Sequence, residues 1–98
     1  MTWQQLRVLT EKWEWRDPRT GGVVTGFNPP ESAKERRRKP FHITYVTKSG
    51  QVESGVCITL KVFLRHHQRM IQFTASNEIR RICDILVMEV DGIRIVAG

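Results

Sequence analysis

Residues 41–62 constrain this chain most. They read Phe41-His-Ile-Thr-Tyr-Val-Thr-Lys-Ser-Gly50-Gln-Val-Glu-Ser-Gly-Val-Cys-Ile-Thr-Leu-Lys-Val62, two alternating arms about a Ser49-Gly50 dipeptide. Strand side chains point to opposite faces in turn. Phe41, Ile43 and Tyr45 therefore share one face of the first arm. Val52, Val56, Ile58, Leu60 and Val62 share one face of the second. A two-residue turn at Ser49-Gly50 pairs Lys48 with Gln51, Ile43 with Val56 and Phe41 with Ile58. That register joins the two apolar sets, and a slip of one residue would expose one of them. A mainly β domain with its core under these residues is expected.

Ninety-eight residues suit one domain. The division expected is 1–40 as helix, turn and basic linker, and 41–98 as the β core. Cys57 and Cys83 lack metal-ligand spacing, and no cofactor motif occurs. Trp3, Gln4, Gln5 and Arg7 leave no room for the apolar stretch of a leader, and no run reaches membrane-span length. The expectation is a cytoplasmic protein with reduced thiols and no membrane contact. The net charge is +6, and eleven of sixteen cations are arginine. Residues 1–50 hold ten basic and five acidic residues, against six and five in 51–98. Such a balance favours polyanionic partners, and it also serves solubility.

Taken in order, Thr2 and Gln5 have capping-box spacing, and Trp3, Leu6, Leu9 or Thr10, and Trp13 recur at helical spacing. A short helix over 3–12 follows, although Trp13–Arg16 also alternates like a strand. Asp17-Pro-Arg-Thr-Gly-Gly22 is turn chemistry. Val23–Phe27 reads as a strand returning toward Trp13 and Trp15. Residues 28–40 read as a surface loop, with five cations among positions 34–39. Beyond the long hairpin, 65–69 is a polar connection and 70–74 a third strand. Asn77 suits a left-handed turn. Residues 79–82 are a fourth strand, Cys83-Asp84 a helical turn or bulge, and Asp84 itself a turn acceptor. Asp91-Gly92 between apolar strands predicts a type I′ hairpin. It pairs Val90 with Ile93, Met88 with Ile95, Leu86 with Ala97 and, on the other face, Glu89 with Arg94.

Gly55, inside the second long arm, marks a bend or bulge. Two sheets sharing one bent strand make a small barrel. In strand order, residues 41–90 resemble the SH3-like and Sm-like small barrels. The resemblance implies an antiparallel barrel of about five to six strands, here with a short N-terminal helix. A flat antiparallel sheet with that helix across it is the alternative.

The first functional candidate is the basic run Lys34, Arg36, Arg37, Arg38 and Lys39, because arginine forks match phosphate oxygens. The same run also reads as a solvated linker. Arg65 and Arg69, with Arg80 and Arg81, form the second candidate patch. His66 and His67 are adjacent, and neighbours on a strand point apart, so a shared metal ion is not expected. His42 stands opposite Cys57 in the register above, a thiol beside an imidazole. No third group orients that pair, and a strand cysteine more often packs as a small hydrophobe. There is no phosphate loop, serine elbow or spaced carboxylate pair, so no enzyme is expected. Trp3, Trp13 and Trp15 suit core packing or a partner surface. Tyr45 and Phe73 fall with the apolar face. These readings converge on a non-enzymatic binding domain that contacts DNA or RNA without sequence preference through its basic arm. The alternative is a protein-interaction or assembly module using the tryptophan segment or an edge strand.

Overall fold

The computed structural model describes residues 3–95, apart from the Trp3 side chain. Helix α1 (Trp3–Thr10) precedes β1 (Trp13–Arg16), β2 (Val23–Gly26), β3 (Lys34–Arg38), β4 (Phe41–Val46), β5 (Val52–Phe63), β6 (Gln68–Phe73), β7 (Ile79–Cys83), β8 (Val87–Val90) and β9 (Ile93–Arg94). The strands form two antiparallel sheets, ordered β2-β1-β3 and β7-β6-β5-β4-β8-β9. The chain is thus mainly β with a short helix, and no closed barrel is found among the described residues.

The β4–β5 hairpin departs from expectation by one residue. Phe41 faces Cys57, His42 faces Val56 and Ile43 faces Gly55. The cause lies in the turn. Thr47 N–H donates to Gln51 O at 2.7 Å, leaving a three-residue loop of Lys48, Ser49 and Gly50. Gly50 takes φ +88°, the left-handed residue that closes such loops. One extra turn residue flips the whole second arm. The core side of β5 therefore carries Cys57 and Thr59, both fully buried. Val52, Val56 and Leu60 point outward, 62%, 46% and 38% exposed. Pairing runs unbroken through Gly55, and the bulge falls instead between Thr59 and Lys61. Beyond it Val62 stands opposite buried Arg69.

The core joins Leu6 of α1 to Phe41, Ile43, Tyr45, Cys57, Ile71, Ile82, Val87 and Val90. The last carbonyls of a helix lack partners within it. Here the sheet supplies them: Thr59 Oγ1 donates to Thr10 O at 2.7 Å. Thr10 Oγ1 donates to Leu6 O at 2.7 Å and accepts from the Arg69 guanidinium. A cation at this end also complements the helix dipole.

Helix α1 stops at Thr10, and 13–16 forms the strand that the alternation allowed. As expected, β2 returns to it, with Trp13 opposite Gly26 and Trp15 opposite Val24. The basic run is a strand and not a loop: Arg38 pairs with Trp13, Arg37 with Glu14 and Lys34 with Arg16. A bulge interrupts this pairing, and Glu35 there has φ +52°. Long unbranched cations have little intrinsic strand preference. Cross-strand charge offsets their mutual repulsion, through Arg37 with Glu14 at 3.9 Å and Arg16 with Glu35 at 3.0 Å. Trp13 and Trp15 belong to this sheet and are half-buried outside the main core. The Trp3 side chain lies outside the described residues.

A single 3₁₀ turn, Asp84–Leu86, links β7 to β8. Asn77 is left-handed at φ +59°. Asp91 and Gly92 have φ +50° and +82°, and Val90 pairs with Ile93 and Glu89 with Arg94. Ile95 N–H donates to Met88 O at 2.8 Å. The expected Leu86–Ala97 pair lies outside the described residues.

Candidate nucleic-acid interface

β3 is an edge strand, so one side of its backbone is unpaired within its sheet. Lys34, Arg36, Arg37 and Lys39 are exposed along it. Residues 12–39 contain eight cations and four carboxylates, so most of the charge excess of the chain sits here. The run is not uniform. Arg36 donates to Glu31 O at 3.1 Å and to Ala33 O at 3.4 Å, bracing the preceding loop. Arg38 is half-buried. Its guanidinium lies 4.1 Å from the Trp13 ring centroid and donates to Glu11 O at 2.8 Å. Burial lowers its pKa, with Glu11 acting the other way. Arg38 is thus a structural cation; Lys34 and Lys39 offer their charge outward, and Arg37 does so from beside Glu14 at 3.9 Å.

The four arginines expected to form a second patch separate into three environments. Arg69 is 1% exposed. Its Nε and Nη2 meet the two Asp84 carboxylate oxygens at 2.6 and 3.2 Å, and Asp84 is also buried. This pair replaces both the polar-connection reading of Arg69 and the turn-acceptor reading of Asp84. Burial removes Arg69 from any phosphate-binding surface. Arg80 points to the inner side, 3.9 Å from Glu53, and also pairs with Glu78. Glu53 accepts from the Tyr45 hydroxyl at 2.7 Å. Burial, then Glu53, pushes that hydroxyl well above its ordinary range.

Arg81 takes the outer face. Its guanidinium sits 4.1 Å from the Phe63 ring centroid, and Lys61 Nζ is 5.2 Å from the same ring. Arg81 Nε donates to Gln68 Oε1 at 2.7 Å. Arg65 is exposed in the 3₁₀ turn Leu64–His66 that follows. Lys61 and Phe63 carry no signal as a site in the sequence. They become neighbours of Arg81 only because the bulge after Thr59 sets Lys61 opposite Met70, which pairs with Arg81.

His42 and Cys57 are not a pair. His42 is exposed opposite Val56, and Cys57 is buried opposite Phe41. Burial pushes the Cys57 thiol up to about 12, the reverse of nucleophile activation. His67 begins the chain reversal into β6 at φ +49°. Among the described residues no group of three or more His, Cys, Asp or Glu side chains is placed to hold a metal ion. No helix there is long and apolar enough to cross a membrane. Comparison with protein-family models, curated proteins and solved structures finds no match.

Proposed function

We propose that this protein is a non-enzymatic β domain that binds nucleic acid through the phosphate backbone, without sequence preference. The observation that carries the reading is the basic β3 strand. The edge strand and the residue after it hold Lys34, Arg37 and Lys39 exposed within a segment of eight cations and four carboxylates. Phosphate contacts of this kind position a nucleic acid without reading its bases. The six-stranded sheet we read as an SH3-like or Sm-like barrel that is open along one seam. Its strand order, the β5 bulge and the single 3₁₀ turn between β7 and β8 support that architecture.

Fluorescence anisotropy with single- and double-stranded DNA and RNA at ~50 mM salt tests the function. Electrostatic affinity of about micromolar strength is expected for all four ligands. No binding to any of them overturns the reading.

A protein-assembly role has one observation in its favour: Val52, Val56 and Leu60 stand exposed along β5, an inner strand of its sheet. It predicts a mass that rises with concentration in light scattering, and a monomer at all concentrations counts against it.

A further inference from the structure

We propose a second contact, in which an unpaired base stacks on the Arg81 guanidinium, so that the preferred ligand is a single strand. This rests on the phosphate-binding reading above. Scattered cations attract either form of nucleic acid. A planar group held rigid and open on one face discriminates, because a base within a duplex already stacks on its neighbours.

Arg81 is such a group. Its guanidinium carbon lies over the Phe63 ring, 4.1 Å from the centroid, and Gln68 Oε1 accepts from Nε at 2.7 Å. Gln68 is itself oriented, since Nε2 donates to Cys83 Sγ at 3.7 Å. The guanidinium thus has an aromatic ring on one side and an amide bonded to its Nε, and the residue is exposed. Arg80, its neighbour, is tied to Glu53 and Glu78. Among the described residues Arg81 and Lys61 form no ion pair with a carboxylate, so their charge is available to phosphates flanking the base. Single-strand recognition commonly places bases on arginine planes and aromatic rings. The Lys61–Phe63–Arg81 group supplies the arginine plane, with the ring as its backing, on the outer face of the sheet.

The test compares four ligands of equal length: single-stranded RNA, single-stranded DNA, duplex DNA and an abasic phosphodiester strand. The wild-type chain binds both single strands more tightly than the abasic strand, by roughly five- to hundredfold. Arg81→Lys keeps the charge and loses the plane, and Phe63→Leu keeps the bulk and loses the ring. Each brings the single strands close to the abasic level while leaving abasic binding almost unchanged. Circular dichroism confirms that both variants fold. Equal binding of abasic and base-bearing strands by the wild type overturns the inference and leaves phosphate binding standing. So does a preference that survives both substitutions. Poly-glutamate competing as well as single-stranded DNA shows a polyanion site without base contact, and also overturns it. Failure of every ligand to bind removes both proposals together.

Discussion

Arg69 Nε donates to Asp84 Oδ1 at 2.6 Å from a side chain that is 1% exposed. The same guanidinium reaches Thr10 Oγ1 at the end of α1. One buried cation therefore ties the helix, β6 and the turn after β7 together. Removing one member of a buried pair costs about 3–5 kcal/mol when nothing else compensates the other; without Asp84, Arg69 keeps only Glu11 at 4.0 Å, so the cost falls toward the lower end of that range. Asp84→Ala should lower the urea midpoint accordingly. Arg69→Met with Asp84→Leu should recover much of the loss. A small effect of Asp84→Ala alone, below about 1 kcal/mol, would show that the pair does not hold these elements.

The register of the long hairpin predicts an order of mutational costs. Thr59→Val deletes the hydroxyl that serves Thr10 O and leaves that carbonyl buried without its donor, costing about 1–3 kcal/mol. Val56→Thr, on the outer face, should stay within about 0.5 kcal/mol. Denaturant titration of the two variants reads the difference. The reverse order would restore the two-residue turn at Ser49-Gly50.

Cys57 should resist alkylation in the folded protein near pH 8, while half-buried Cys83 labels faster. Mass spectrometry after timed iodoacetamide treatment distinguishes the two sites. The raised Cys57 pKa also has a consequence for stability. Below its unfolded pKa, about 8.5–9, the thiol is protonated in both states and this contribution is fully present. From there to about 12 the unfolded chain loses the proton first. Stability should then fall with rising pH by up to about 1.4 kcal/mol per unit from this group. Cys57→Ala should flatten that slope, and an unchanged slope would contradict the assignment.

Gly92 occupies φ +82° in the β8–β9 turn, beside Asp91, whose Oδ1 accepts from His42 N–H at 2.9 Å. Gly92→Val should cost about 1–2 kcal/mol through the left-handed penalty. In a domain of this size each kcal/mol lowers the melting temperature by roughly 4–8 °C. An unchanged Tm would refute the turn.

Legibility in the sequence followed the range of the interactions. The Asp91-Gly92 hairpin, the return of β2 to Trp13 and Trp15, and the left-handed Asn77 were readable, because each rests on neighbouring residues. The register of β4 on β5 was not. Ser49-Gly50 closes a two- or a three-residue loop equally well, and the outward parity of β5 is the more apolar one. Cys57 and Thr59 win the inner face because the turn sets the register and the helix end meets Thr59. The basic strand was hidden for a similar reason: Lys34–Arg38 has no strand pattern of its own and gains one from Glu14 and Trp13 across the sheet. Arg69 has partners 15 and 59 residues away, which no local pattern reveals. The grouping of Lys61, Phe63 and Arg81 depends on a single bulged residue.

The salt dependence of binding tests the central claim most directly. Each phosphate contact contributes about 0.9 to the log–log slope on duplex DNA and about 0.7 on a single strand. Lys34→Gln, Arg37→Gln and Lys39→Gln together should flatten the duplex slope by up to roughly 2.7 and weaken all sequences alike. The melting temperature should barely move, since these three side chains are exposed. A wild-type affinity insensitive to salt, or a triple variant with an unaltered slope, would contradict phosphate binding by β3.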